Sequence, residues 1–276
     1  MPVRRLAAVA LFLVACQGGG SGASQSAAAP IRIVASEYAF VGVPDTLQTG
    51  WHDIMVVNQG KQLHMAVFAR LDSGKTFEDY RAALIAKTPM PWLREVGGVN
   101  AVLPGDSLTS VINFPAGSYL TLCYATDSTG QAHVLDGMAS VFTVAAAGPV
   151  ASAEPIGDDT VALTSYKIGF ASPPARGMHL FRVEDHDSAA INHDLVIVRL
   201  NDGKTAADAA AWLAAPHDAP PFTVASGTTG IERGAHDYIR ADLSPGNYLA
   251  LCFMPDNGDG KPHYVHGMTT AFTVGS

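Results

Sequence analysis

The chain has 276 residues, room for two domains of ordinary size. Its 48% hydrophobic and 15% charged residues, with 27 glycines and 17 prolines, suit short strands and turns better than a helical bundle. The formal charge of −8 argues against a nucleic-acid or anionic-lipid surface and favours partners with basic patches.

At the amino terminus, Arg4 and Arg5 precede the apolar run Leu6 to Val14, which is too short to span a bilayer and is laid out like an export signal. The adjacent arginines lack the rest of a twin-arginine pattern. Leu13-Val14-Ala15-Cys16 resembles the lipobox of bacterial lipoproteins, which implies a signal segment over 1–16 and a lipidated Cys16 anchored in the cell envelope. Gln17 after that Cys points to the outer membrane of a two-membrane cell. The alternative is an ordinary secreted protein that loses Cys16 with its leader. Residues 17–30, nearly all Gly, Ser, Ala and Gln, read as a flexible tether.

The first domain, expected over 31–145, opens with strand patterns at Ile31 to Val34 and Trp51 to Val57, ending in the turn-like Asn58-Gln59-Gly60. His64 begins the next strand and shares its core-facing row with Ala66 and Phe68. Thr76-Phe77-Glu78-Asp79 is a helix N-cap signature leading into Ala-rich sequence up to Ile85. Gly74-Lys75-Thr76 is not a phosphate loop, because the glycine required five positions earlier is Ala69. A turn at Pro115 to Tyr119 starts a strand that ends at Cys123. Ala125 to Ala132 turns the chain before His133, and Gly137-Met138 leads into a last strand ending Phe142-Thr143-Val144. Residues 146–156 are small residues and prolines and read as a linker to a second domain over 157–276.

That second domain repeats the first. His64 and Cys123 recur at a single spacing as His193 and Cys252; His133 and Met138 recur as His263 and Met268, the spacing lengthened by one inserted residue. Thr205 with Asp208 repeats the helix start, and a period this long means two whole domains. With Cys16 set aside, one Cys remains per repeat in a chain expected to be exported, where paired cysteines would oxidise. Thiol, imidazole and thioether together are donors that suit copper, whereas calcium and magnesium gather oxygen ligands. His52, His179, His186, His217 and His236 show no repeat partner among themselves and read as solvated; His266 tunes the second site or faces water, and Met254 reads as packing.

On an upstream His at a strand entry, a Gly-x-Tyr-x3-Cys strand and a His-x4-Met segment before the last strand, the chain resembles the cupredoxin family of Greek-key β-sandwiches. The resemblance implies an all-β fold of two tandem cupredoxin-like domains, each with one inserted helix. It also implies one type 1-like copper per domain, held by His64, Cys123, His133 and Met138 and by His193, Cys252, His263 and Met268. The ligand loops hold nine and ten residues between Cys and His, longer than in plastocyanin. The function implied is electron transfer with a redox partner protein. The alternatives are a metal-free interaction module or a periplasmic Cu(I) storage or delivery protein. An oxidase is not expected, because multicopper enzymes place His beside the ligating Cys and this chain has Leu122 and Tyr124, or Leu251 and Phe253.

Overall fold

The computed structural model describes residues 29–187, 192–216 and 219–275. Cys16, residues 17–28 of the expected tether and His217 lie outside the described residues. No helix among those described is long and apolar enough to cross a membrane.

The first repeat runs β1 (Ile31–Ser36), β2 (Ala39–Val41), β3 (Thr46–Leu47), β4 (Gly50–Asn58), β5 (His64–Leu71), α1 (Phe77–Ala86), β6 (Leu93–Val102), β7 (Ser107–Phe114), β8 (Gly117–Leu122) and β9 (Ala139–Val144). The second runs β10 (Asp159–Thr164), β11 (Lys167–Phe170), β12 (Gly177–Asp185), β13 (His193–Leu200), α2 (Ala206–Ala214), β14 (Phe222–Ile231), β15 (His236–Leu243), β16 (Gly246–Leu251) and β17 (Thr269–Val274). The fold is all-β, two tandem sandwiches in which the chain crosses between sheets in Greek-key fashion.

Each expected helix forms where its cap predicts. Thr76 and Thr205 accept from the backbone N–H of Asp79 and Asp208, whose carboxylates bond back to the N–H of the Thr. α1 buries Tyr80 against Val67, Ala69, Leu120 and Leu122. β5 is therefore buried on both faces, where a two-residue alternation predicts only one. The opposite face carries His64, Ala66 and Phe68 into the core, where Phe68 packs edge-on against Phe114 and Phe142. Each aromatic buried this way contributes roughly 1.5–3 kcal/mol. The turn before each Cys strand is tied by a tyrosine, with Tyr119 donating to the Pro115 carbonyl at 2.6 Å and Tyr248 to that of Ser244 at 2.8 Å.

The two sandwiches share one sheet. It has eight strands in the order β11-β10-β12-β15-β7-β4-β1-β2, and β7 joins β15 antiparallel through Val111 with Tyr238 and Ser110 with Ile239. Ser110 and Ile239 stand at the same spacing as Cys123 and Cys252, so each is paired with its own repeat equivalent, as at the axis of a two-fold dimer. The remaining sheets, β3-β9-β8-β5-β6 and β14-β13-β16-β17, lie one to each repeat. At the centre β6 crosses close to β14: a Cβ on Gly98 would lie 2.3 Å from the Ala66 carbonyl oxygen and 2.6 Å from Thr229 Cγ2. Segment 146–156 is tied down by bonds between Ala151 and Thr49 and between Trp51 and Ser152, and by Glu154, which accepts from Tyr238 at 2.8 Å.

His52 and His179 are repeat partners after all. They pair with Ile112 and Ala241, which stand at the Cys123 to Cys252 spacing, and each places Nε2 2.8 Å from the carbonyl four residues back. The offset of β4 from β12 is thus slightly shorter than the spacing of the ligands, which hides the pair from a search at that spacing. His236 is not simply solvated either: it lies 2.7 Å from Glu154 and its ring packs against Trp51 of the first repeat.

Candidate metal centre

Each candidate ligand is set by the end of a strand or by a short turn pinned to it. His64 opens β5 and Cys123 follows β8, the neighbouring strand in the same sheet. His133 begins a 3-10 turn, His133–Asp136, and Gly137 closes it at φ 97°, a left-handed conformation that glycine adopts freely. Four backbone bonds fix the loop: Cys123 N–H to Met138 O at 3.3 Å, Val134 N–H to Cys123 O at 2.9 Å, His133 N–H to Ala125 O at 2.8 Å and Met138 N–H to His133 O at 3.0 Å. The same four recur around Cys252, His263 and Met268 at 3.2, 2.8, 2.9 and 3.0 Å. Asp127 Oδ1 accepts from the N–H of Thr129 and Gln131, and Asp256 Oδ1 from that of Gly258 and Asp259. Turns of this kind absorb the extra loop length and return each His to its Cys.

The outcome is two nearly identical triangles of donor atoms. In the first, Cys123 Sγ stands 3.8 Å from His64 Nδ1 and 3.5 Å from His133 Nδ1, and the two Nδ1 atoms are 3.2 Å apart. In the second, Cys252 Sγ, His193 Nδ1 and His263 Nδ1 have the same three separations. A point equidistant from the corners of such a triangle lies about 2.0 Å from each, the length of a bond from imidazole nitrogen to a transition metal. The imidazoles and thiols are at most 1% exposed, so water is excluded. Met138 and Met268 are fully buried in the same core clusters as Cys123 and Cys252.

At His133 and His193 the outward nitrogens explain why the inward ones are free to bind. His133 Nε2 donates to Gln62 Oε1 at 3.1 Å and His193 Nε2 to Asp187 Oδ2 at 2.8 Å, which puts the proton on Nε2 and leaves Nδ1 a lone pair facing the Cys. Glu37 Oε1 stands 3.5 Å from His64 Nε2 and is held by the N–H groups of Lys61 and Gln62. Burial holds the pKa of His64, His133 and His263 below the ordinary imidazole value. It pushes the Cys123 thiol up to about 11 against the N–H of Met65, and Cys252 higher still, with the Asp194 carboxylate adding to burial. Two imidazoles and a thiol that yields its proton only to a cation form a soft donor set in both repeats, and it fits copper.

Sequence reasoning missed the residues behind the ligands, and the two repeats solve that problem differently. Gly60 N–H bonds to Asn58 Oδ1 and Asp187 N–H to Asp185 Oδ1, both at 2.8 Å, which makes Asp187 the equivalent of Gly60 and Asp185 that of Asn58. A Cβ on Gly60 would lie 2.5 Å from Glu37 Oε1 and 2.8 Å from His64 Nε2. The first repeat therefore leaves that place to Glu37, from the β1–β2 turn. The second fills it with Asp187, and Ser165, at the position of Glu37, donates to Asp187 Oδ1 at 3.1 Å. An alignment carrying the shorter offset of β4 and β12 would have exposed the exchange.

His266 stays outside the triangle, paired with Asp259 at 3.1 Å, and Met254 packs on the core. Cys123 and Cys252 are buried free thiols, with no disulfide between them.

No family model matches the chain, and no curated protein does. Among solved structures it is similar to a reduced auracyanin from the photosynthetic bacterium Roseiflexus castenholzii, at 26% identity over 44% of this chain and 99% of that one, with a TM-score of 0.31. It is similar to auracyanin B at 20% identity over 42% of this chain and 87% of that one, TM-score 0.30. A blue copper oxidase from Nitrosomonas europaea matches at 12% identity over 88% of this chain and 85% of that one, TM-score 0.26. Superpositions this loose carry no argument by themselves; the chain's own donor atoms do. The two buried His/Cys/His groups fit a cupredoxin-like tandem fold.

Proposed function

We propose that this is a copper-binding electron-transfer protein with one type 1-like site in each repeat, His64, Cys123, His133 and Met138 forming the first and His193, Cys252, His263 and Met268 the second. The observation that carries it is the duplicated, water-free triangle of two Nδ1 atoms and one Sγ. Copper bound there would supply one-electron cycling between Cu(I) and Cu(II). The chain's part is to hold the donors still: the backbone-pinned turns and the bonds from His133 and His193 to Gln62 and Asp187 fix sulfur and imidazole in one arrangement that satisfies both ions. We take the role as carrier rather than enzyme, since Leu122, Tyr124, Leu251 and Phe253 stand beside the Cys residues where multicopper enzymes place His.

Location and partners belong to the same proposal. Cys16 would carry a lipid that anchors the protein at the outer membrane, and a redox partner protein with a basic docking face would suit the negative net charge. Changing Cys16→Ser should move the protein from the membrane fraction to the soluble one; an unchanged distribution counts against the anchor. For the metal, copper titration of the full chain should give a strong visible thiolate-to-copper band that disappears in a Cys123→Ser, Cys252→Ser double variant. A colourless protein without stoichiometric copper would end the proposal.

A further inference from the structure

The two sites share donor atoms and distances but not their surroundings. Met65 and Asp194 are equivalents, each following the first His and each directing its backbone N–H at the Cys sulfur from 3.5 Å. One is a neutral thioether, the other a carboxylate only 3% exposed. Both Asp194 oxygens accept from N–H groups, Oδ1 from Phe253 at 2.6 Å and Oδ2 from Asn100 of the first repeat at 2.9 Å, bonds that stabilise the anion against the burial that pushes its carboxyl up to about 6. Asp187 repeats the pattern, receiving His193 Nε2–H and the Ser165 hydroxyl, and is 1% exposed in its side chain, against 27% for its counterpart Glu37. Asp185 stands where the first repeat has the neutral amide of Asn58.

We propose that these buried carboxylates rank the two sites, giving the second-repeat site the lower reduction potential, with Asp194 as the principal positioning residue and Asn100 reaching across from the first repeat to hold it. The proposal rests on both sites binding copper. Negative charge in a water-free surrounding favours the more highly charged ion of a couple, and screening is weakest where both groups are buried. Met65 supplies no such charge, and Glu37 faces solvent, so an electron shared between the two sites would rest in the first repeat. The sites would then work as an ordered pair, not as two copies of one carrier.

The test is spectroelectrochemical titration of the copper-loaded full chain, with single Cys123→Ser and Cys252→Ser variants assigning each transition to a repeat. The expected result is two one-electron transitions. The second-repeat site should be the harder to reduce by at least tenfold in its oxidised-to-reduced ratio at a fixed poise, which is about 59 mV. Asp194→Asn should bring the second transition toward the first without moving the first. The converse variant Met65→Asp should lower the first and leave the second, so the ranking stays testable if either variant fails to fold. Copper in both sites with coincident or inverted potentials would overturn the ranking and leave the electron-transfer function standing. A chain that binds no copper would overturn both.

Discussion

At the residue scale, the chemistry of the first site follows from what burial does to a thiol and two imidazoles. At neutral pH His64 and His133 are already neutral, because burial holds them below their ordinary value, whereas Cys123 keeps its proton up to about 11. Binding a cation in the first site therefore displaces one proton, from sulfur. In the Cys252→Ser variant, the apparent affinity of that site for copper should rise about tenfold per pH unit from pH 7 toward 9, with one proton released per ion. Calorimetry in buffers of different ionisation enthalpy checks the proton count. A pH-independent affinity with no proton release would mean that the sulfur is not a ligand.

The ligands were legible in the sequence because Cys, His and Met recur in the same order at spacings that differ by one residue, and few other residue types share their donor softness. Their supports were not. Glu37 and Asp187 perform one task from non-equivalent positions, and a carboxylate's reach depends on a backbone path that spacing does not describe. Asp194 and Met65 occupy one position with opposite chemistry, which a search for repeated residues discards.

At the scale of elements, caps and turns were legible and the edge strands β6 and β14 were not. Thr76 and Thr205 start their helices as their capping pattern requires, since that signal is local and chemical. β6 and β14 escaped notice because Gly97, Gly98 and Gly227 break the apolar alternation that marks a strand. Those glycines are there for close approach. Gly98→Ala would set a methyl against the Ala66 carbonyl oxygen, which cannot rotate away. The expected loss is about 1–3 kcal/mol of unfolding free energy, the usual range for overpacking. Thr76→Ala, which removes one cap, should cost about 1 kcal/mol. Urea denaturation of the two variants gives the comparison; a Gly98→Ala protein as stable as the wild type would show that β6 does not need this close approach to β5 and β14.

At the scale of the whole molecule, the repeats form a pseudo-symmetric pair joined through the β7–β15 seam, with polar groups buried at the junction. Asp237 sits there against Gly97, accepts from the Thr228 hydroxyl at 2.9 Å, and is held well above the usual carboxylate range by burial. The sign follows from linkage. A carboxyl raised above its unfolded value of about 3.9 contributes stability that is fully present below that pH and is lost as pH rises through the folded value. Relative to wild type, Asp237→Asn should therefore gain thermal stability as pH rises from 5 to 8. Subtracting one protein from the other cancels the opposite contribution of His64, His133 and His263, whose depressed values favour the fold at higher pH. A stability difference that is flat with pH would mean that the Asp237 carboxyl titrates alike in folded and unfolded chains.

The central claim, a single ion gathered by sulfur and imidazole in each repeat, is tested most directly by copper X-ray absorption on the loaded full-length chain. Two coppers per chain, each with one short sulfur and two imidazole nitrogens in its inner shell, is the predicted result. A shell of nitrogen and oxygen alone, such as the Asp256, Asp259 and His266 group would provide, would contradict it.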